Sequence, residues 1–405
     1  MALIKPMIRS NICINSHPLG CAQDTRNQIA YVAAQKAKRG VKTAKEGGYA
    51  PKNVLVLGCS TGYGLASRIS AAFEYGADTI GVSFEKEATE TKAGTPGFYN
   101  NMTFDKEAQK LGLKSKTFNM DAFSDECRQT IINEAKSQGI KFDLIIYSLA
   151  SPVRTDPDTK VMYRSVIKPV GQTFSGPSLD MMTGKISIQE AKPAEGDDVA
   201  NTVKVMGGED WERWIKQLKE ADVLADGVRT LAYSYIGPKY SHPIYRDGTI
   251  GTAKKDLEAR AHNIDSSLKS LNGAAYVSVN KGLVTRSSAV IPIIAQYLGV
   301  LFKIMKAKGT HEGCIEQMER LFAERLYTAD KKVPVDEENR IRIDDWELDP
   351  AVQAEVDKVM PQVTEENVNE LCDLAGLRHD FLMINGFDVP GVDYEKEITK
   401  MNEID

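Results

Sequence analysis

The sequence has few cysteines, no long apolar run and no concentration of charge of one sign. Its six cysteines are spread over 405 residues without a C-x-x-C pair, a distribution typical of packed thiols in a reducing compartment. No segment approaches the roughly 20 apolar residues of a membrane-spanning helix, and the start lacks the apolar stretch of about 7–15 residues of a signal peptide. These absences predict a cytoplasmic protein with no membrane partner.

The charges are nearly balanced and evenly spread. The 51 Lys and Arg residues against 56 Asp and Glu residues give a net charge of −5, and no basic tract could follow a phosphate backbone. The five histidines show no metal-ligand spacing, and no G-x-S-x-G motif indicates a hydrolase. The composition therefore predicts neither a nucleic-acid partner nor a metal site.

The sequence does contain an alternation of short apolar runs and longer helical patterns. The runs are brief, rich in β-branched residues and bounded by Gly, Asp or Pro, as strands are. Near-continuous apolar strands separated by helices predict a parallel sheet covered on both faces, so the predicted fold class is α/β with a doubly wound Rossmann sheet. The predicted strands are 53–58, 78–85, 114–121, 142–150, 230–237 and 274–282, and the helices between the first four are 64–76, 100–112 and 124–139.

Residues 1–405 are predicted to form a single elaborated Rossmann domain. A helix is expected near 22–45, and the apolar run at 289–305 is expected to be a buried core helix. The polar, turn-rich insertion is expected to form a hairpin or a lid. The predicted parts are an N-terminal extension (1–50), a dinucleotide-binding and catalytic core (51–150 and 225–310), an insertion over the substrate site (151–224) and a helical, acidic tail (311–405).

A glycine-rich turn follows the first predicted strand. Residues 53–65 read NVLVLGCSTGYGL, in which Gly58, Gly62 and Gly64 have the G-x-x-x-G-x-G spacing used by short-chain dehydrogenases and reductases. A strand ending at the first glycine and a helix opening near the second fit a turn whose bare backbone admits a pyrophosphate to the positive helix N-terminus. A merely tight strand–helix turn is the alternative that the motif alone leaves open.

The ends of the next strands supply further candidates, because ligands on such sheets lie outside the carboxyl ends of the strands. Glu85 could bond the adenosine ribose hydroxyls and repel a 2′-phosphate, which favours NADH over NADPH; a solvated surface acid is the alternative. Asp121 and Ala122 would lie at the adenine edge, and Leu149 and Ala150 would lie beneath the cofactor.

A tyrosine-rich stretch over 233–262 follows the fifth predicted strand. A reductase of this class needs a phenol to stabilise or protonate the oxyanion that hydride delivery creates, and an ammonium to hold the nicotinamide ribose. Tyr235 and Lys239 have the common Y-x-x-x-K spacing. The intervening Gly237-Pro238 predicts a turn in place of the single helical face that this signature requires, so this pair is rejected.

Tyr245 and Lys254 form a second candidate pair. Asp247-Gly248 predicts a break after the tyrosine, and Thr249 could cap a helix that carries the lysine. The phenol would then come from a loop and the ammonium from a helix, so both could face the cofactor. A packed tyrosine and a surface lysine are the alternative.

The full pattern resembles the trans-2-enoyl-CoA reductases and the FabV-type enoyl-acyl-carrier-protein reductases over nearly the whole chain. The Y-x8-K spacing of Tyr245 and Lys254 is its most specific element, since other enoyl reductases use Y-x6-K and most short-chain dehydrogenases use Y-x3-K. The other similar motifs are GCSTGYG from Gly58 to Gly64, Phe84-Glu85, Asp121-Ala122, Leu149-Ala150, YSYIG, NKGLVT, SLASPVRTDP and RIRIDDWEL.

This resemblance implies a monomer that uses NADH to reduce the C2=C3 double bond of a trans-2-enoyl-CoA such as crotonyl-CoA, in fatty-acid or butyrate metabolism. Tyr245 would be the catalytic acid, Lys254 would act beside it, and Tyr235 would bind the thioester carbonyl. Glu85 would discriminate against NADPH. The residues implied to contact NADH are Gly58, Cys59, Ser60, Thr61, Gly62, Tyr63, Phe84, Glu85, Asp121, Ala122, Leu149, Ala150, Lys254, Leu283, Val284 and Thr285.

Three other functions stay open at this point. An acyl-carrier-protein thioester could replace the CoA thioester, because the chemistry is identical and only the handle differs. A carbonyl-reducing short-chain dehydrogenase and a non-catalytic NADH-binding regulator would share the glycine turn. Ile291 and Ile294 are candidates for limiting the acyl chain length, although core packing explains them equally well.

Overall fold

The computed structural model of the chain describes residues 3–9, 12–286, 288, 291 and 294–405. Within these ranges each helix is too short or too polar to span a bilayer. In chain order the strands are β1 (Ile8–Arg9), β2 (Ile12–Cys13), β3 (Asn53–Leu57), β4 (Asp78–Ser83), β5 (Ser115–Asn119), β6 (Phe142–Tyr147), β7 (Val153–Thr155), β8 (Met162–Arg164), β9 (Phe174–Leu179), β10 (Ile186–Ala191), β11 (Leu224–Ser234), β12 (Ala274–Val279) and β13 (Arg340–Arg342).

The helices follow the strands in regular alternation through the core. Two of them, α2 and α9, continue into π-helical turns at Ser70–Glu74 and Phe322–Leu326. In chain order the helices are α1 (Pro18–Arg39), α2 (Gly62–Ile69), α3 (Pro96–Lys110), α4 (Asp125–Gln138), α5 (Asp198–Met206), α6 (Glu209–Glu220), α7 (Thr249–Leu268), α8 (Ile294–Lys308), α9 (Cys314–Leu321), α10 (Pro350–Val359), α11 (Val368–Leu371) and α12 (Leu374–Met383).

A seven-stranded parallel sheet, in the order β13-β12-β11-β6-β3-β4-β5, forms the centre of the fold. Strand residues point alternately to its two faces, and both faces are buried: Leu55 and Leu57 pack toward α4, α6 and α7, whereas Val54 and Val56 pack toward α1, α2, α3 and α9. Burial on both faces explains why the strands read as continuous apolar runs. The predicted α/β class with a Rossmann sheet is confirmed.

The elaborations differ in detail from the predictions. The N-terminal helix covers Pro18–Arg39 rather than 22–45, since Gly40 at φ +63° ends it. The insertion contains two antiparallel hairpins, β7–β8 and β9–β10, before α5 and α6. The predicted helix at 289–305 corresponds to α8; residues 289, 290, 292 and 293 lie outside the described residues. The tail contributes β13 to the sheet, a strand that the pattern did not predict.

A third buried cluster lies around α8, beside the carboxyl ends of β11 and β12. It combines α8 with α10, α11 and α12 of the tail and with β9 of the insertion. Ile291 and Ile294 are buried in it, and Tyr245 packs against it. The tail and the insertion therefore meet where the predicted substrate residues lie.

Candidate active site

The turn after β3 needs its glycines for two different physical reasons. Gly58 has φ +86°, and a β-carbon there would lie 2.2 Å from the Ser148 carbonyl oxygen. A β-carbon at Gly64 would lie 1.9 Å from the Gly58 carbonyl oxygen. Gly62 begins α2 at φ +55°. The strand, the turn and the helix are thus in backbone contact, and the amides at the start of α2 face the sheet's carboxyl edge, as an anion site requires.

The side chains of this turn have separate surroundings. Cys59 is fully buried beneath the turn, so it presents backbone rather than a thiol to the edge. The Ser60 hydroxyl donates to Glu85 at 2.6 Å, Thr61 precedes α2 as its cap residue, and the Tyr63 hydroxyl donates to the Lys281 carbonyl at 2.5 Å. The turn is therefore tied to the ends of both β4 and β12.

Two neighbouring residues at the end of β4 have opposite environments. Glu85 accepts the Ser60 hydrogen bond and pairs with Arg286 at 3.4 Å, and its side chain is only 10% exposed. Phe84 is 78% exposed, unusual for an aromatic ring. Arg286 was not among the predicted residues because it follows the NKGLVT motif without a recognisable spacing.

The ends of β5 and β6 complete this side of the edge. The Asp121 carboxylate accepts from the Phe123 amide at 2.9 Å, and Ala122 is buried. Leu149 packs on the core cluster, and Ala150 is exposed. The predicted cofactor residues from β3 to β6 therefore lie along one edge of one sheet.

The segment after β12 lies over the glycine turn. Leu283 and Val284 are buried, and the Thr285 amide donates to the Ser288 hydroxyl at 2.8 Å. The Thr285 methyl group lies 4.0 Å from where a β-carbon of Gly62 would be. This contact brings the last predicted group of cofactor residues to the first.

The two predicted tyrosines are in contact. The rings of Tyr235 and Tyr245 meet edge to face with their centroids 4.9 Å apart, and each keeps part of its surface exposed. Burial raises the pKa of Tyr245 to about 12, so its phenol carries a proton at neutral pH. Lys239 of the rejected pair is exposed in a 3₁₀ turn after Pro238.

Lys254 lies in the first turns of α7, with its ammonium at the end of β11. Its Nζ donates to the Tyr233 carbonyl at 2.8 Å, two residues before Tyr235. Burial lowers the pKa of Lys254 to about 8, although Glu258 acts in the opposite direction. The expected cap was wrong: Gly248 is the cap residue, because the Thr249 hydroxyl donates to the Val166 carbonyl of the insertion instead.

A buried polar cluster behind Tyr235 was missed by the sequence predictions. Glu347 of the tail is fully buried and accepts hydrogen bonds from the hydroxyls of Tyr235 at 2.9 Å and Tyr297 at 2.7 Å. Lys281 is buried nearby, with its ammonium 4.3 Å from the centre of the Phe302 ring. An acid within an acidic tail carries no local signal, so only the contact across the fold identifies it.

The parallel sheet, the glycine turn at its carboxyl edge and the tyrosine–lysine arrangement define a dinucleotide-binding α/β protein of reductase type. Three family models match the chain. They are the "Trans-2-enoyl-CoA reductase catalytic region" over residues 92–327, the "NAD(P)H binding domain of trans-2-enoyl-CoA reductase" over 3–90 and the "Enoyl reductase FAD binding domain" over 335–398. The chain belongs to the trans-2-enoyl-CoA reductase family, as predicted.

Similar proteins share the full length of the chain. A trans-2-enoyl-CoA reductase [NADH] of Treponema denticola is 60% identical over 402 residues, covering 99% of this chain and 100% of that protein. An enoyl-[acyl-carrier-protein] reductase [NADH] of Cytophaga hutchinsonii is 52% identical over 98% of each chain. The crystal structure of the Treponema denticola trans-2-enoyl-CoA reductase in complex with NAD has a TM-score of 0.96 at 59% identity and 99% coverage of both chains.

Residues 335–398, all of which the structure describes, do not fit the flavin that the third family description mentions. The strand of this segment, β13, leads to α10 through 343–349, a connection without glycine. That connection carries Asp344 and Asp345, whose carboxylates would repel a pyrophosphate. Glu347 is moreover committed to protein donors. We therefore assign no step of the reaction to a flavin.

Proposed function

We propose that the protein reduces the C2=C3 double bond of a trans-2-enoyl-CoA to the saturated acyl-CoA with NADH. The observation that carries this proposal is the contact of Tyr235 with Tyr245 at the sheet edge that also holds the glycine turn and Lys254. The predicted activity and cofactor agree with the names and the bound NAD of the similar proteins.

The residues that would hold NADH are those predicted along the carboxyl edge. They fit a dinucleotide, because the bare Gly58–Gly62 backbone and the start of α2 suit a pyrophosphate, and Glu85 beside them suits a ribose diol. When bound, the cofactor supplies the hydride that C3 of the substrate accepts. The remaining cofactor residues would be Cys59, Ser60, Thr61, Tyr63, Phe84, Asp121, Ala122, Leu149, Ala150, Lys254, Leu283, Val284 and Thr285.

The phenols would act on the oxygen and on C2 of the substrate. Tyr235 would bind the thioester carbonyl, on whose oxygen negative charge develops as an enolate forms. Tyr245, protonated at neutral pH, would stabilise that oxygen and serve as the acid that leads to protonation at C2. Lys254 would hold the ribose. Its positive charge would also stabilise the negative charge that develops on the Tyr245 oxygen as this phenol gives up its proton.

The experiment that tests this function is an absorbance assay of NADH oxidation with crotonyl-CoA. We expect turnover with NADH and the saturated thioester as product. Turnover of a ketone without turnover of crotonyl-CoA would instead indicate a carbonyl reductase. NADH binding without turnover of either substrate would indicate a regulator.

An acyl-carrier-protein thioester is the second candidate substrate. The Cytophaga hutchinsonii relative, which covers the chain equally well, is named for that handle. Comparison of kcat/KM for crotonyl-CoA, dodecenoyl-CoA and the carrier-protein thioester separates the handles and the chain lengths. We expect crotonyl-CoA to have the highest value, and a higher value for the carrier-protein thioester would reverse the assignment.

We further propose a cytoplasmic monomer that has no nucleic-acid or membrane partner. The nearly balanced charge and the family resemblance support this assignment. Light scattering on the purified protein is expected to give the mass of one chain, 44.6 kDa. A mass of two or more chains would refute the monomer.

A further inference from the structure

Glu347 connects the proposed substrate tyrosine to the loop that would contact the nicotinamide. Its Oε1 accepts from the hydroxyls of Tyr235 at 2.9 Å and Tyr297 at 2.7 Å, and its Oε2 accepts from the Gly282 amide at 2.6 Å. Gly282 directly precedes Leu283 and packs on Tyr235, whose hydroxyl lies 3.1 Å from where a β-carbon would be. One carboxyl group thus holds two parts of the site.

The hydrogen-bond arrangement raises a question of proton count. A phenol has one proton, so Tyr235 cannot donate it to an ionised Glu347 and to a thioester carbonyl at the same time. If Glu347 is protonated, its own O–H can donate to the Tyr235 oxygen, and the phenol proton is released toward the substrate. This change reverses one hydrogen bond and transfers no atom between the residues.

We propose that Glu347 is a positioning residue that orients Tyr235 for the thioester carbonyl and that acts in its protonated, neutral form. The inference rests on the proposed function, because it concerns the donor that binds the enoyl thioester. Glu347 does not touch the substrate in this scheme; it determines which way the Tyr235 hydroxyl points.

The electrostatic environment of Glu347 is consistent with a neutral carboxyl. Burial raises the pKa of Glu347, while the nearby Lys281 and the three hydrogen-bond donors act in the opposite direction. Burial in turn lowers the pKa of Lys281 to about 8. This lysine therefore loses its positive charge as the pH rises through that value, and it then stabilises an ionised Glu347 less. Among the described residues, the titratable groups that face Glu347 are Tyr235, Tyr297, Tyr63 and Lys281.

The test compares three variants in steady-state reduction of crotonyl-CoA over a range of pH. Glu347→Gln keeps the shape and the acceptor for Gly282, and one N–H of its amide can donate to the Tyr235 oxygen as the O–H of the neutral acid would. Glu347→Leu removes all three bonds. Tyr297→Phe removes one donor from the carboxylate but leaves its bond with Tyr235.

We expect Glu347→Gln to retain turnover, with the fall of kcat/KM at high pH beginning at a higher pH than in the wild type. In that variant the remaining fall belongs to Lys254, whose pKa is about 8. Glu347→Leu is expected to lower kcat/KM for crotonyl-CoA by about 10–100-fold, the cost of a misplaced binding group. Tyr297→Phe is expected to shift the fall of kcat/KM to a higher pH, because the carboxylate of Glu347 loses one hydrogen-bond donor that stabilises its charged form.

Three outcomes would overturn the inference while leaving the proposed function intact. They are a Glu347→Gln profile identical to that of the wild type, a loss of turnover in Glu347→Gln as large as in Glu347→Leu, and a folded Glu347→Leu with wild-type kcat/KM. Glu347→Gln is nearly isosteric and keeps the test valid if Glu347→Leu fails to fold. A wild-type protein that binds NADH but does not reduce crotonyl-CoA would refute both proposals.

Discussion

Tyr245 is the single residue on which the proposed chemistry depends most directly. Its phenol carries a proton at neutral pH, burial raises its pKa further, from 10 to about 12, and its ring is held against Tyr235. We expect Tyr245→Phe to lower kcat by about 10²–10³-fold, the usual effect of losing one preorganised donor, while the Kd for NADH changes little. Stopped-flow turnover and fluorescence titration of NADH measure the two quantities.

Tyr240 provides the matched control for that substitution. It lies five residues away and packs on the same apolar cluster, and its hydroxyl has no hydrogen-bond partner among the described residues. Tyr240→Phe is expected to leave kcat within about twofold, since no polar contact is lost. Equal losses in the two variants would mean that the Tyr245 hydroxyl has no special part in catalysis.

The pH dependence of NADH binding is assigned to Lys254. Burial lowers its pKa to about 8, so the ammonium is present below that pH and is lost as the pH rises through it. NADH affinity is therefore expected to weaken with rising pH, and Lys254→Ala is expected to bind weakly at every pH. Titrations well below and well above the pKa measure this, with the exposed Lys255→Ala as control. A pH-independent Kd in the wild type would contradict the assignment.

Glu85 and Arg286 together suggest how the cofactor preference is set. The Glu85 carboxylate is held by Ser60 and Arg286 near the expected ribose position. Glu85→Ala removes the repulsion of a 2′-phosphate and frees the guanidinium to bind it, so kcat/KM with NADPH is expected to rise relative to NADH.

The double variant Glu85→Ala/Arg286→Ala separates these two effects. It is expected to lose the gain with NADPH, because no cation then remains to pair with the phosphate. The exposed Glu90→Ala controls for a general change of surface charge. An unchanged ratio of NADPH to NADH rates in Glu85→Ala would show that this carboxylate does not select the cofactor.

At the scale of elements, the strand–turn–helix unit of β3 and α2 depends on backbone contacts. A methyl group at Gly64 would lie 1.9 Å from the Gly58 carbonyl oxygen, which cannot move without shifting β3. Gly64→Ala is expected to lower the free energy of unfolding by about 1–3 kcal/mol and to weaken NADH binding.

Denaturant titration and NADH titration of the same samples measure both effects. Gly112→Ala is the control: it places an alanine at φ +70° in open space far from the edge, so it strains the backbone without touching the cofactor site. We expect NADH affinity to be unaffected there. Wild-type affinity in Gly64→Ala would mean that the close packing of α2 on the turn is not needed for the cofactor.

The interior strands could be predicted from sequence because burial on both faces makes them continuously apolar. β3 and β12 are examples, with Leu55, Val56 and Val277 all buried. β13 could not be predicted, because its three residues contain a single apolar side chain, Ile341, between Arg340 and Arg342. An edge strand of that length has no periodic pattern to read.

The residues of the candidate site could be predicted from sequence only where a local spacing reflects the backbone conformation at that point. The glycines after β3 and the tyrosine and lysine of the Y-x8-K spacing carry such signals, and their roles stay predictions. Glu347, Tyr297 and Arg286 have none, because their significance comes from contacts between distant segments. The prediction that Thr249 caps α7 was wrong for the same reason, because its hydroxyl donates to the Val166 carbonyl of the distant insertion.

At the scale of the whole molecule, a buried glutamic acid, Glu74, lies between the sheet layer and the helices that pack outside it. Glu74, in the turn after α2, is fully buried, and no N–H or hydroxyl of the described residues donates a hydrogen bond to either of its oxygens. Glu319 of α9 lies beside it and pairs with Arg39 of α1 at 2.7 Å. Burial, together with the negative charge of Glu319, raises the pKa of Glu74 from its ordinary value of 4.5 to about 8.

This shift predicts a falling stability with rising pH. Between pH 4.5 and about 8 the folded chain keeps a proton that the unfolded chain has lost, so the contribution of Glu74 declines through this window and is constant above it. Glu74→Gln is expected to match the wild type at the acid end and to exceed it by a few kcal/mol at the alkaline end, at about 1.4 kcal/mol per pKa unit.

Urea unfolding at both ends of the window measures the difference, with the exposed Glu90→Gln as control. Equal pH dependence in the wild type and Glu74→Gln would show that Glu74 ionises freely in the folded protein.

Glu347 bonds to partners 65 and 112 residues earlier in the chain, Gly282 and Tyr235. During refolding from denaturant, the first half of the sheet can form while this carboxyl is still far from its partners. Recovery of catalysis will therefore follow the docking of the tail and lag behind the return of helical and strand content. Circular dichroism and activity, recorded on one refolding sample, will give two separate time courses.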